Sequence, residues 1–386
     1  MALKTTLVAD SIHGNMQISY LEKEIMSTQA FNRLHNINQN SSIYLTFPSN
    51  RTRRFEHSVG SMYLAGEMFF YSIVNAEQGI RNELLDKVLE EIKRIRNTNA
   101  KTIRMLLGDN EELPSVMEKD PLYSLYVPNV VQSKHAFAFA LIFQSVRCAA
   151  LLHDLGHPPF SHIAEAALEK IWESVLAVEK EKRTARQNHF IETMSYYLVE
   201  DGIEDSPVFA LHEKVGNCIA DRLFEAIIRD TEDLEYKFFL FMVHSFVNSI
   251  LTEENTFYKN IHGLIAGSID SDRLDYIVRD LNNSGFNHGR IEYDRLISSM
   301  KLIKHRDDFL FCSDIRALST IEDFFNKRMR LYKYVIFHHR VVKTDNLLKR
   351  IIVKLANDYL ENQESEDLVE SQVLPLDISG LWKAVK

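Results

Sequence analysis

Only 13 glycines and 8 prolines punctuate 386 residues, so the backbone has few places where it is made to turn. The long segments between them are rich in Leu, Ile, Lys and Glu, residues that lose little on entering a helix. The expected fold class is therefore all-α, a mostly helical domain with a small β-hairpin. That hairpin is placed at 300–314 (MKLIKHRDDFLFCSD), where apolar runs flank Asp307 and Asp308.

Apolar spacing locates the helices. Over 55–75, Phe55, Val59, Met62, Tyr63, Gly66, Phe69 and Phe70 recur at three and four, which puts His57 on or beside a buried face. A charged amphipathic helix is expected over 81–96, then a stretch to about 134 that holds Gly108, Pro114, Pro121 and Pro128. Residues 76–134 read as an insertion between two core helices. The helix at 136–153 is broken by Pro158 and Pro159, and others are expected at about 161–180, 189–200, 207–229, 233–252, 270–282 and within 315–361. The expected organisation is one catalytic domain over 1–361 and a C-terminal tail over 362–386, with an acidic cluster at Glu364, Glu366 and Asp367.

The net charge of −9 argues against a protein whose main task is coating nucleic acid, which takes a basic excess to displace counterions from phosphates. Cys148, Cys218 and Cys312 are odd in number and lack CxxC spacing. Neither a disulfide framework nor a zinc ribbon is expected, and a reducing cytoplasm is the expected location. The opening MALKTTLVADSIHG lacks the apolar core of a secretory signal. Residues 136–152 (AFAFALIFQSVRCAALL) come nearest to a membrane span, but Gln144, Ser145 and Arg147 interrupt them and mark a buried core helix, so no membrane partner is expected. With neither a GxxxxGK[ST] loop nor a GxGxxG fingerprint, nucleotide chemistry has to come from side chains and a metal.

Three separated segments supply metal-ligating residue types. In RFEHSVG (54–60), Arg54 and His57 share a helix face, so a cation can meet a phosphate oxygen beside a metal-bound imidazole. Taken alone, that histidine also reads as a satisfied core residue. In HDLGHPPFSH (153–162), His153 and His157 lie at i and i+4 and His162 follows the proline break, a density of histidine that packing does not explain. In SIDSDRLDYIVRD (268–280), Asp272, Tyr276 and Asp280 align at i, i+4 and i+8 beside Asp275 and Arg279; alone, that strip reads equally as a surface ion-pair ladder. Together His57, His153, Asp154 and Asp272 form a two-imidazole, two-carboxylate set suited to one divalent ion, Mn, Fe, Zn, Co, Ni or Mg. The carboxylates balance its charge and leave positions for water and a substrate oxygen.

In this order, H, then HD, then D, the motifs resemble the signature of HD-domain phosphohydrolases. SIHGNMQIS (11–19), TQAFNRL (28–34), FPSNRTRRFEHSVGSMYLAG (47–66), HDLGHPPFSH and IDSDRLDYIVRD (269–280) narrow the resemblance to the deoxynucleoside triphosphate triphosphohydrolase branch, over about residues 11–345. That branch includes bacterial dGTPases and the vertebrate SAM-and-HD-domain dNTPase. The resemblance implies cleavage of a dNTP at the α-phosphorus to deoxynucleoside and triphosphate.

By the same resemblance, His57, His153, Asp154 and Asp272 hold the metal, His157 and His162 line the phosphates, and Arg54, Arg273 and Tyr276 contact the triphosphate. Asp280 sits near the sugar, Arg328 in NKRMRLY (326–332) is a phosphate-binding arginine, and Gln39 in NINQNSS (36–42) reads the sugar 3′-hydroxyl. The family's His-Glu pair supplies a candidate acid for the departing 5′-oxygen. It matches His212 and Glu213 in LHEKVGN (211–217), whereas NHFIET (188–193) offers His189 without an adjacent glutamate. Asn40 and Ser41 replace a glycine-rich or apolar segment, and Ile336 or Phe337 a tyrosine that stacks near the sugar, which leaves sugar and base preference open. Relatives commonly assemble, so a homo-oligomer is expected. Two alternatives stay open: a phosphodiesterase or nuclease on single-stranded nucleic acid, for which RTRR (51–54) supplies basic charge, and a nucleotide sensor that binds without turnover.

Overall fold

The apolar stretch from Ala136 to Leu152 becomes the axis of the fold. In the computed structural model, which describes residues 6–107, 127–198, 211–286 and 293–362, every side chain of this helix from Phe137 to Leu152 is buried. The segment is long and apolar enough to cross a bilayer, yet 94% of its most apolar window is buried inside the protein. A helix that is apolar all round needs partners on every side.

Those partners arrive in chain order. Strands β1 (Thr6–Asp10) and β2 (Gly14–Ile18) precede α1 (Tyr20–Ser27), the short α2 (Gln29–Asn32) and α3 (Arg54–Val74). Next come α4 (Gln78–Thr98), α5 (Ala100–Leu107), the axial helix α6 (Ala136–Leu152), α7 (His162–Leu176), α8 (Ala185–Leu198) and α9 (Leu211–Asp230). The chain continues through α10 (Leu234–Leu251), α11 (Thr256–His262), α12 (Ser271–Asn283), α13 (Tyr293–Ser298), β3 (Met300–His305), β4 (Asp308–Ser313), α14 (Leu318–Leu331) and α15 (His339–Glu361). The axial helix α6 packs against both α3 and α10, and α12 packs against α3. α14 lies against α12, and a π-helical turn at Tyr332–Ile336 separates it from α15.

The expected helices are present, with ends shifted by a few residues. The expected hairpin is present too, pairing Met300↔Ser313 through His305↔Asp308. A second hairpin, β1–β2, was not expected: it pairs Thr6↔Ile18 through Asp10↔Gly14, and Gly14 takes φ +74 at its turn, a conformation open to glycine at little cost. Within the expected insertion at 76–134, α4 buries Leu84, Leu85, Val88, Ile92 and Ile95 in the same core, against α6 and α10. That part of the segment is therefore core. Residues 108–126 and the tail from 363 lie outside the described residues. Cys148, Cys218 and Cys312 are free thiols.

Two of the polar residues that interrupt α6 share a buried partner, Glu22. Arg147 donates from Nε to Glu22 Oε1 at 2.6 Å and from Nη2 to Glu22 Oε2 at 2.8 Å, and Gln144 Nε2 donates to Glu22 Oε1 at 2.8 Å. Glu22 also closes a capping box with Ser19 at the start of α1. Removing one member of a buried pair strands the other charge. Arg147→Leu is expected to lower unfolding free energy by about 3–5 kcal/mol in urea titrations, and adding Glu22→Gln, which removes the stranded charge, is expected to recover part of that loss.

Candidate active site

Three elements converge at one end of α6. His57 lies in the first turn of α3, His153 and Asp154 follow the last turn of α6, and Asp272 stands in the first turn of α12, whose N-cap is Asp270. His57 Nε2 is 2.9 Å from Asp272 Oδ1 and 3.6 Å from Asp154 Oδ2; His153 Nε2 is 3.6 Å from Asp154 Oδ1 and 3.7 Å from Asp272 Oδ1. The four expected metal ligands are thus neighbours, and His57, His153 and Asp272 form a tight cluster of ligand atoms.

The imidazoles are oriented from behind. His57 Nδ1 bonds Asp275 Oδ2 at 2.8 Å, and His153 Nδ1 bonds the Ala150 carbonyl at 2.6 Å. A carbonyl and an ionised carboxylate can only accept, so each Nδ1 carries the proton and each Nε2 faces the cluster. Both Nε2 atoms are buried without an aligned hydrogen-bond partner among the described residues. Two orphaned nitrogens of this kind beside carboxylates, each imidazole held by an outer partner, fit the donor set that a divalent metal takes.

Charge is closely managed here. Burial alone would lower the His57 imidazole, but Asp272 and Asp275 raise it to about 10. His153 is likewise raised, against its burial, by Asp154 and Asp272. Burial would raise Asp154, yet Arg54 and the neighbouring histidines hold it well below the usual carboxylate range. Arg54, expected on the triphosphate, is almost wholly buried, with its guanidinium on Asp154 and its Nε donating to Ser161 Oγ at 3.0 Å. It orients Asp154 while still reaching the cavity wall.

Beside the metal cluster lies a second one that the sequence showed only in part. His157, stacked on His212 at 4.0 Å between ring centroids, stands 3.2 Å from Asp154 Oδ1 and is lowered to about 3 by burial and by Arg54. His162 Nδ1 bonds Glu165 Oε2 at 3.0 Å, and His212 Nδ1 bonds Glu165 Oε1 at 2.6 Å. Against its burial, these histidines hold Glu165 well below the usual range. The carboxylate that holds His212 is therefore Glu165; Glu213, the other member of the expected His-Glu pair, is exposed on the cavity wall. Glycine at 156 lets α9 come this close, because a Cβ there would fall on the His212 carbonyl and the Gly216 amide. His189 is exposed on α8 and does not line the cavity, which leaves His212 as the histidine at the site.

His153, Asp154 and Asp272 of the first cluster and His157, His162 and His212 of the second line a cavity of about 770 Å³, while His57 and Glu165 are not among its lining residues. Gln39, Asn40, Arg273 and Tyr276 line it, joined by Lys214, Asn217 and Tyr332, which the sequence reading did not single out. Gln39 Oε1 is buried without a hydrogen-bond partner among the described residues. Arg273 bonds Asp270 and the Gly267 carbonyl, and Tyr276 meets Tyr332 hydroxyl to hydroxyl at 3.3 Å.

Two expected contacts stand behind the wall. Asp280 is fully buried beside Asn40, and burial pushes its carboxyl up to about 7. Arg328 lies 5.3 Å over the Tyr332 ring and is not among the lining residues. Of the two positions expected to replace a tyrosine, Ile336 lines the cavity and Phe337 is 64% exposed, while Tyr332 brings a phenol from one turn earlier.

No family model matches the chain. It is 22% identical over 371 residues to an uncharacterized protein of Methanocaldococcus jannaschii, covering 96% of this chain and 54% of that protein. It is also 22% identical over 359 residues to the human deoxynucleoside triphosphate triphosphohydrolase SAMHD1, covering 92% of this chain and 45% of that protein. The chain thus spans about half the length of these relatives. A putative HD domain-containing protein of Acanthamoeba polyphaga mimivirus is 21% identical over 347 residues, 88% of this chain and 56% of that protein. Among solved structures, a phosphohydrolase of Bacteroides thetaiotaomicron shares the fold at a TM-score of 0.57 and 19% identity, over 99% of this chain and 69% of that one. The chain is a distant homologue of HD-domain proteins, among them the SAMHD1 dNTP triphosphohydrolases.

Proposed function

We propose that this chain is a metal-dependent phosphohydrolase that cleaves deoxynucleoside triphosphates at the α-phosphorus, releasing deoxynucleoside and triphosphate. The observation that carries the reading is the pair of orphaned Nε2 atoms on His57 and His153, clustered with Asp272, where His153 and Asp272 line a cavity that three further histidines also line. His57, His153, Asp154 and Asp272 would hold one divalent ion, which supplies an activated water and neutralises phosphate charge.

The chain's own side chains account for the rest. Arg273 and Lys214 on the wall give the triphosphate cationic neighbours, as pre-placed charge does at phosphoryl sites. Breaking the bond between the α-phosphorus and the 5′-oxygen leaves an oxygen that needs a proton. His162 and His212, fixed by Glu165, are the groups placed to deliver one. Support for an alternative activity on single-stranded nucleic acid is weaker than the sequence suggested, because RTRR is no continuous basic surface. Arg54 is buried on Asp154, Arg53 Nη1 donates to Asn38 Oδ1 at 2.5 Å, and Arg51 alone of the three is exposed.

Incubating the pure protein with Mn and dNTPs, NTPs or single-stranded DNA, and identifying the products by chromatography, tests the reading. Nucleoside and triphosphate are expected; mononucleotides from DNA, or tight nucleotide binding without turnover, would overturn it. His212→Ala is expected to lower kcat by roughly 10²–10⁴-fold, and Asp154→Ala to lose metal and activity together.

Metal binding also carries a pH signature. Without metal, His57 at about 10 holds a proton on Nε2 at neutral pH, and a ligating imidazole nitrogen must lose it. Binding is therefore expected to release about one proton at pH 7–8. The apparent Kd should tighten about tenfold per pH unit in that range. Calorimetry in buffers of different ionisation enthalpy measures the release directly, and a Kd indifferent to pH would contradict the ligand assignment.

A further inference from the structure

We propose that His13, at the tip of the N-terminal hairpin, is a positioning residue for the metal ligand His57, so that the order of the hairpin and occupancy of the metal site are coupled. His13 Nε2 donates to Asp275 Oδ1 at 2.6 Å, and the other oxygen of the same carboxylate accepts from His57 Nδ1 at 2.8 Å. Arg279 Nε bonds both oxygens, at 2.9 and 2.7 Å, and Arg279 Nη1 donates to Asp10 Oδ2 at 2.8 Å. Asp10 Oδ1 in turn accepts from the backbone amides of Ile12 and His13 at 2.8 and 2.9 Å, which fixes the hairpin turn. The ring of contacts runs from Asp10 to Arg279, to Asp275, to His13 and back.

Burial makes this ring directional. The side chains of His13, Asp275, His57 and Arg279 are 3%, 0%, 0% and 2% exposed. Water therefore cannot stand in for a missing partner without rearrangement. Gly60 of α3 permits the close approach, since a Cβ there would fall on the Asp275 carboxylate and the Arg279 guanidinium. His13 occupies Oδ1, which leaves Oδ2 facing His57 and keeps the carboxylate from rotating about its own axis. The His57 ring is then held with Nε2 toward His153 and Asp272. Outer partners of metal-bound histidines act in this way, and because binding couplings are reciprocal, the ion should steady the hairpin as much as the hairpin steadies the ion.

The inference rests on the metal site proposed above, and the test separates the two. Titrating Mn into metal-free protein, His13→Ala is expected to bind it about 10–100-fold more weakly than wild type. His13→Gln, which returns an N–H donor at similar reach, is expected to recover most of the affinity. In wild type, hydrogen exchange of residues 6–18 is expected to slow when Mn is added to the chelated protein, a readout that survives if His13→Ala fails to fold. A wild-type chain that binds no Mn would overturn the metal reading and the inference together. Unchanged affinity in His13→Ala, no recovery in His13→Gln, or hairpin exchange indifferent to Mn would overturn the coupling alone.

Discussion

Taking the Asp275 carboxylate out of water costs several kcal/mol unless opposite charge and donated hydrogen bonds replace its hydration. Arg279, His13 and His57 supply that replacement from its own helix, the N-terminal hairpin and α3. Each of these elements is therefore tied to the others by a group that none can abandon cheaply. The orientation of His57 follows, and with it the direction in which Nε2 faces His153 and Asp272. The same device recurs elsewhere along α6, where buried Glu22 meets Arg147 and Gln144 and locks α1 against the axial helix.

Around that anchor, two neighbouring groups of imidazoles meet different fields. His57 and His153 face carboxylates and are raised, as suits positions that a divalent cation can take in place of a proton. His157 faces Arg54 at close quarters in a buried pocket and is lowered, so it stays neutral and donates or accepts without carrying charge. Between them Asp154 touches both groups, and Glu165 holds the outer pair. Such a division, with neighbouring groups pushed in opposite directions, is characteristic of sites where one group holds charge while another moves a proton.

Much of this was legible in the residues. Spacing at three and four placed His57 on a buried helix face, and the proline break after HDLGH placed three histidines at a helix end, where the structure has them. The acidic strip at 268–280 was ambiguous between a surface ladder and a site. Burial resolves it unevenly: Asp275 and Asp280 are fully buried, whereas Asp272 is partly exposed on the cavity. Glu165 was passed over because one glutamate in an amphipathic helix carries no signal of its own; its position three residues after His162 was the clue available. Glu213, next to His212 in sequence, is not its partner in the fold, because consecutive helical residues face different ways.

The sequence by itself determined that the chain is helical and that its centre is the stretch at 136–152, and it singled out His57, His153, Asp154 and Asp272, which the fold brings together. Those conclusions depend on periodicity and residue chemistry, which are local properties. Tertiary structure alone decided which side chains face one another: Arg54 on Asp154, Glu165 between His162 and His212, Tyr332 against Tyr276, and His13 on Asp275 across 262 residues of chain. Partners so distant are chosen by how helices pack and by the need to match every buried charge, and neither is written in the spacing of any one segment.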